Sequence, residues 1–200
     1  MAYYVRLLTP TEKPVPFNDI SLEIGSVKLI SGTDSNWEKI EISDPAGSPI
    51  AVLERKTVSS DAGGAEMAAL KEQVSRSNPE NARRWILKYL STVKTIYSFQ
   101  LFADNIERTD WPVLGRVQNL LKDALTGIIQ ADNEGFYNES GDYILWQMYA
   151  GAGGSVPAAT LDEKGEWIPF QLNLADYRAV ERFKRGEMPR RGLFDVFFKR

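Results

Sequence analysis

The chain has 200 residues, 43% of them apolar and 26% charged, with a formal net charge of −3. That composition suits one globular domain of larger than usual size, able to bury a sizeable core. Cysteine and histidine are both absent, which excludes disulfides, thiolate nucleophiles, zinc–thiolate and iron–sulfur sites, Ser-His-Asp catalysis and imidazole metal ligation.

The opening MAYYVRLLTP lacks the basic start and continuous apolar core of a signal peptide. Within it, Tyr3–Leu8 reads as a strand, and Val27–Ser31 reads as another after a stretch punctuated by Pro10, Pro14 and Pro16. Trp37–Ser43 alternates Trp37, Lys39 and Glu41 against Glu38, Ile40 and Ile42. Asp44-Pro-Ala-Gly47 then turns it back into Ser48–Val58 as a hairpin. A linker, Ser59–Gly64, precedes a short helix over Ala65–Arg76. Asn78 reads as the N-cap of the next helix and Pro79 as its first helical residue. Ala82, Trp85, Ile86, Tyr89, Leu90 and Val93 give that helix one apolar face.

Thr95–Phe102 reads as a buried strand with Tyr97, Phe99 and Leu101 on one side. Asp110 is placed to cap a helix over Trp111–Leu125. Val113, Leu114, Val117, Leu120, Leu121, Ala124 and Leu125 form its inner face and Gly127 its stop. The helix makes a parallel crossover from 95–102 to a strand at Gly127–Ala131. Strands Gly135–Asn138 and Asp142–Ala150 follow. In the second, Ile144, Trp146 and Met148 oppose Tyr143, Leu145 and Tyr149, the pattern of a central strand covered twice. The uncharged run Tyr143–Leu161 contains glycines, a proline, a serine and a glutamine, so it is read as no membrane span. After Gly151–Gly154 comes a hairpin over Ala158–Gln171, then a helix over Leu174–Arg185 ending at Gly186. Gly192–Phe198 supplies a last strand. Hairpins flanking a helical stretch give an α+β fold, antiparallel hairpins and a meander packed on a central set of amphipathic helices. It is read as a single domain over 1–200, with 94/95 as the alternative cut.

The stretch DNEGFYNESGD, Asp132–Asp142, raises the question of a carboxylate site. An EF-hand loop needs glycine sixth and glutamate twelfth. Counting from Asp132 puts Tyr137 and Tyr143 there, and counting from Asn138 puts Tyr143 sixth, so both registers fail. A type I turn, with Asp or Asn first and Gly fourth, fits Asp132–Gly135 and Asn138–Gly141. The same word recurs at Asp44–Gly47 and Asp162–Gly165. Turn chemistry leaves Glu134 and Glu139 unexplained, and they lie at opposite ends of a strand of about three residues, roughly 10 Å apart and too far to share a metal without a third element.

Two further features stand out. The loop Gly151–Gly154 resembles a phosphate cradle only superficially, because Val156 stands where a dinucleotide fingerprint needs glycine and Pro157 follows instead of a helix. Residues 178–200 carry a local charge of +5 against −8 for the first 177. Arg178, Arg182 and Arg185 fall on adjacent helical turns, with Lys184, Arg190 and Arg191 behind them.

These observations favour a soluble, cytoplasmic, non-catalytic domain of inhibitor, immunity or regulatory type, whose partner is another protein, with no cofactor or metal. The alternative is a carboxylate-dependent hydrolase, with or without a divalent metal, using Asp132, Glu134 and Asp142. A third reading, ranked below a protein partner, is phosphate or nucleic-acid binding through Arg182, Arg185, Arg190 and Arg191.

Overall fold

The computed structural model describes residues 3–24, 26–102, 111–148 and 153–188. Among these residues ten strands form one sheet: β1 (Tyr3–Thr9), β2 (Val27–Thr33), β3 (Asn36–Ser43), β4 (Pro49–Thr57), β5 (Thr95–Leu101), β6 (Ile128–Ala131), β7 (Gly135–Tyr137), β8 (Tyr143–Trp146), β9 (Ser155–Leu161) and β10 (Trp167–Asn173). Their order is β10-β9-β8-β7-β6-β1-β5-β4-β3-β2. All neighbours run antiparallel except β8 and β9, which are parallel and share one register pair, Tyr143 with Ala158. Among the described residues the helices are α1 (Phe17–Ile24), α2 (Asp61–Ser75), α3 (Glu80–Leu90), α4 (Trp111–Leu125) and α5 (Tyr177–Lys184).

The mixed α+β composition expected from the sequence is present, but the helices do not form the centre. The sheet does, and the reason lies in its central strands. Leu7 and Leu8 of β1 are both buried, as are Ile96 and Tyr97 of β5. Adjacent strand residues point to opposite faces, so both faces need cover. On one face Ile20 and Ile24 of α1 and Val113, Leu114, Val117, Leu121 and Leu125 of α4 pack on Leu7, Ile40, Leu53, Tyr97 and Phe99. On the other, Met67, Leu70 and Val74 of α2 and Ala82, Ile86 and Leu90 of α3 pack on Leu8, Ile96, Ile128 and Phe136. A third cluster joins Val180 and Phe183 of α5 to Tyr143, Ala158 and Leu172.

The crossover through α4 keeps its expected sense with a different neighbour. β5 and β6 each pair antiparallel with β1 and so run parallel to one another, with β1 inserted between them. Residues on both sides of 94/95 therefore share one sheet.

Local differences have local causes. The expected linker Ser59–Gly64 is largely the first turn of α2, capped by Ser60, whose hydroxyl accepts from the Gly63 N–H at 3.2 Å. α3 begins one residue later than expected, with Pro79 as N-cap. Asn78 instead lends its carbonyl to the Trp146 N–H at 2.8 Å. Trp37 is fully buried beside Ile40 and Ile42 rather than opposite them. The register of β3 on β2 passes over Glu38 between Lys39, opposite Ser31, and Trp37, opposite Gly32, which breaks the strict alternation. β8 is shorter than expected, and its residues Tyr143, Ile144 and Leu145 are completely buried. Asp110, Gly151 and the Gly192–Phe198 strand lie outside the described residues. Among those residues, no helix is long and apolar enough to cross a membrane.

Candidate functional site

The face of the sheet that carries α2 and α3 changes character along its strands. Cross-strand partners form rows, because residues opposite one another share a face. One row, Lys56–Ile96–Leu8–Ile128, lies by the helices and is apolar except at its end. The next row runs Lys39–Glu54–Ser98–Arg6–Gln130. Beyond it lie Lys28–Glu41–Val52–Gln100–Tyr4. Half of one sheet face is thus polar.

Glu66, reaching down from α2, joins this half together. Its carboxylate accepts from Arg6 Nε at 2.6 Å, from Lys56 Nζ at 3.0 Å and from Ser98 Oγ at 3.0 Å. Arg6 also pairs with Asp132 at 2.6 Å and donates to Gln130. Its guanidinium lies 5.0 Å from the centroid of the Tyr4 ring. Lys56 reaches Glu54 at 3.1 Å, and Glu54 meets Lys39 at 2.8 Å. Charge alternates along the chain Asp132–Arg6–Glu66–Lys56–Glu54–Lys39.

The side chains at the centre are the least exposed, 13% for Arg6 and 16% for Glu66. Burial pushes the Glu66 carboxyl up, but hydrogen bonds from Arg6 and Lys56 outweigh it and hold the group below its ordinary value. The hydrogen bond from Lys39 lowers Glu54 as well, against the effect of burial. Lys56 is raised, because its bonds to Glu66 and Glu54 overcome the cost of burying its charge.

The three acids of the hydrolase reading each have partners of their own. Asp132 is engaged by Arg6 and by the Tyr4 N–H at 3.3 Å. Glu134 accepts from the Tyr3 hydroxyl at 2.6 Å and from the Tyr137 hydroxyl at 2.8 Å. Asp142 accepts from Asn138 Nδ2 at 3.3 Å. Among the described residues, no group of three or more acids could hold a metal ion.

Glu134, which turn chemistry left unexplained, ties β1 to β7. Burial and the bonds to Glu134 raise Tyr3 and Tyr137 far above the normal phenol range, so both remain donors at neutral pH. Tyr143 completes the cluster by donating to the Glu134 carbonyl at 2.6 Å, with its ring stacked on Phe183 at 5.6 Å. Gly135 makes room for it: a Cβ there would lie 2.9 Å from the Tyr143 ring and collide with the Leu145 carbonyl oxygen. Glu139 is exposed in the following turn.

Three of the four turn words close alike. Gly47, Gly141 and Gly165 donate to the carbonyls of Asp44, Asn138 and Asp162 at 3.0, 3.0 and 3.1 Å, each with positive φ. The fourth is shifted by one residue: Glu134 N–H donates to the Ala131 carbonyl at 3.2 Å, which frees the Asp132 carboxylate for Arg6.

The basic segment is partly neutralised where it is described. Arg185 pairs with Glu187 at 2.8 Å, and Lys184 pairs with Glu181 at 3.0 Å while lying 4.9 Å from the Trp146 ring centroid. Arg182 is half-buried on α5, and Arg190 and Arg191 lie outside the described residues. Gly153 and Gly154 lead into β9, and the Gly154 carbonyl accepts from the Leu174 N–H at 2.8 Å.

No family model matches the chain, and no curated protein or solved structure is detectably similar to it. The site therefore rests on its own geometry. Sequence reading had singled out Asp132 but passed over Arg6, Glu54, Lys56 and Glu66. The available signal was a charge in register with leucine: Arg6 precedes Leu8 on one face of a strand that is otherwise apolar.

Proposed function

We propose that the protein is a non-catalytic, protein-binding domain of inhibitor or regulatory type, and that its partner docks on the polar half of the sheet face. The supporting observation is the balance of that surface. Arg6, Lys28, Lys39 and Lys56 stand against Glu41, Glu54, Glu66 and Asp132, four cations against four carboxylates. A polyanion needs an excess of positive charge to release its counterions profitably. A neutral, alternating surface instead discriminates among protein partners by charge register. Pairing within the network also holds the long side chains in place before the partner arrives, which lowers the ordering cost on binding. Tyr4 and Gln100, both half-buried, supply a less charged centre of the kind that carries interface energy.

The test uses wild type, Gln100→Arg and Glu41→Arg on this face, and Leu22→Ser on α1 as a control from the opposite face. Each serves as bait in lysate of the native host. A protein captured by wild type and by Leu22→Ser should be lost, by about tenfold or more, from both sheet-face variants. Equal capture by all four would sink the assignment. So would turnover of a hydrolase substrate panel that disappears in Glu134→Gln.

A further inference from the structure

The sheet is open and ends in two edge strands, β10 and β2. An edge strand points the N–H and C=O of every second residue away from the sheet, ready to pair with another extended chain unless something blocks them. At β10 the Leu174 N–H donates to the Gly154 carbonyl at 2.8 Å, and the Asp162 N–H donates to the Glu166 carbonyl at 3.0 Å. Those bonds turn the backbone of the even-numbered residues toward β9 and leave that of Trp167, Pro169, Gln171 and Asn173 facing outward. Pro169 has no N–H to offer, and the Asn173 carbonyl already accepts from the Asp176 N–H at 3.1 Å. That edge is closed to a continuous ladder.

β2 differs. The Ser43 N–H donates to the Ser26 carbonyl at 2.9 Å, and Val27, Lys28 and Leu29 stand opposite Ile42, Glu41 and Ile40. Alternation therefore turns the backbone of Ser26 and Lys28 toward β3 and points the N–H and C=O of Val27 and Leu29 outward. Among the described residues, no strand lies beyond them. The open run ends at Ile30, an extra residue between Leu29 and Ser31 that is 46% exposed. The side chains divide as the rows do. Half-buried Val27 and Leu29 pack against the core cluster that includes Ile20 and Ile24 of α1, whereas exposed Lys28 heads the polar row that continues through Glu41. Lys28 makes no ion pair among the described residues.

We propose that the partner of the polar half engages β2 through its main chain: an extended segment of that protein pairs antiparallel with residues 26–29 and lengthens the sheet. The proposal rests on the sheet-face reading, because β2 borders the polar half. A segment that continues the rows places apolar side chains opposite Val27 and Leu29 and a carboxylate opposite Lys28, which keeps the sign alternating. A second copy of β2 does not supply that pattern, since the strand holds no acidic residue. The chain's own C-terminal segment does not reach. The Gly186 carbonyl accepts from Thr160 Oγ1 at 3.0 Å, which fixes the end of α5 beside β9. From β9 to β2 is eight strand spacings of about 4.8 Å, about 38 Å in all. The 12 residues after Met188 span about 40 Å when fully extended, which leaves no stretch long enough to pair.

The experiment is an amide NMR titration of the ¹⁵N-labelled full chain with the capped pentapeptide Thr-Val-Glu-Val-Thr and two N-methylated forms of it. Paired as proposed, both valines turn their N–H groups toward β2 and the glutamate turns its own away. The parent peptide should move the Val27 and Leu29 amides more than any in β10. Methylating both valine nitrogens should weaken binding by about tenfold or more, and methylating the glutamate nitrogen should change it by less than about twofold. A Val27→Pro chain loses one outward donor and keeps the bonds to β3, so it should bind the parent peptide several-fold more weakly. Its melting temperature checks its fold, and the methylated peptides decide the matter without it. No shift at Val27 and Leu29 with about 10 mM peptide, or equal affinity of the two methylated forms, would overturn the proposal. So would Val27 and Leu29 amides that move with protein concentration alone, since a second copy then holds the edge. In the capture assay, loss of the partner from Gln100→Arg but not from Val27→Pro overturns strand addition and leaves the sheet-face reading standing. Equal capture by wild type, Gln100→Arg and Glu41→Arg sinks the sheet-face reading and with it the partner, whereas the peptide result for the edge stands.

Discussion

Glu66→Gln tests the site most directly, because the residue keeps its shape and loses only its charge. The carboxylate holds Arg6, Lys56 and Ser98 at 2.6, 3.0 and 3.0 Å. A hydrogen bond to a charged group contributes roughly 1.5–3 kcal/mol net, and stranding a fully buried charge costs about 3–5 kcal/mol. Neither cation is stranded here, since Arg6 keeps Asp132 and Lys56 keeps Glu54. The expected loss is therefore about 2–3 kcal/mol at neutral pH. Its pH dependence follows from the lowered Glu66 group. A carboxyl depressed in the folded state stabilises it fully above the unfolded value, about 4.3, and that contribution vanishes as pH falls through the folded value. The gap between wild type and variant should thus hold from pH 7 to about 5 and close below about 4. Urea titration followed by tryptophan fluorescence reads it: with a slope of about 2 kcal/mol/M, the midpoint should fall by roughly 1–1.5 M at pH 7. A gap under about 0.5 kcal/mol at pH 7, or one unchanged in acid, would refute the argument that Glu66 organises this half of the face.

Four other outcomes follow from the same geometry. Gly135→Ala should destabilise by about 3 kcal/mol or more in thermal unfolding, since its Cβ would strike the Leu145 carbonyl and crowd Tyr143. Glu134→Gln should cost about 1–2 kcal/mol by removing the charged acceptor shared by Tyr3 and Tyr137; a catalytic acid with no structural role would leave stability unchanged. Tyr97→Phe should be neutral or stabilising by about 1 kcal/mol, because the Tyr97 hydroxyl is buried without a partner among the described residues while its ring contact with Trp37 at 5.7 Å survives. Lys56→Met should remove a stabilisation that is complete below the unfolded lysine value of about 10.4 and is lost as pH rises through the higher folded value. Its gap to wild type should therefore persist at pH 9 and narrow only in stronger alkali.

What the sequence disclosed, and what it hid, divides by range. Turns are local: an Asp or Asn with a glycine three residues on carries its own donors and its own positive φ, and three such words fold as read. The apolar face of α3 is equally local, because Ala82, Ile86 and Leu90 meet the sheet whatever lies beyond it. Sheet order is not local. Nothing in Tyr3–Leu8 announces that it will lie between β5 and β6, some ninety to one hundred and twenty positions later in the chain. The parallel pairing of β8 and β9 is invisible for a similar reason, since it rests on a single register pair and the connecting stretch looked like a link between two hairpins. The N-terminal turn of α2 was masked by composition. Gly63 and Gly64 weaken a helix, but a Cβ at Gly63 would collide with the Thr57 carbonyl, so close packing on β4 decides the residue.

The acids show why a cluster in sequence is a poor guide to a cluster in space. Asp132, Glu134 and Asp142 lie within eleven positions, yet successive residues around a hairpin turn leave the sheet in different directions. Arg6 takes the first, Tyr3 and Tyr137 the second, and Asn138 the third. The carboxylates that do share a surface, Glu54, Glu66 and Asp132, come from a strand, a helix and a turn spread over about eighty positions, and cations separate each from the next. Such spacing suppresses acid–acid coupling, which would raise a carboxyl toward the range needed for general acid catalysis, and it lowers Glu54 and Glu66 instead. The same alternation of sign gives this surface a fixed charge register, the property on which the proposed protein binding depends.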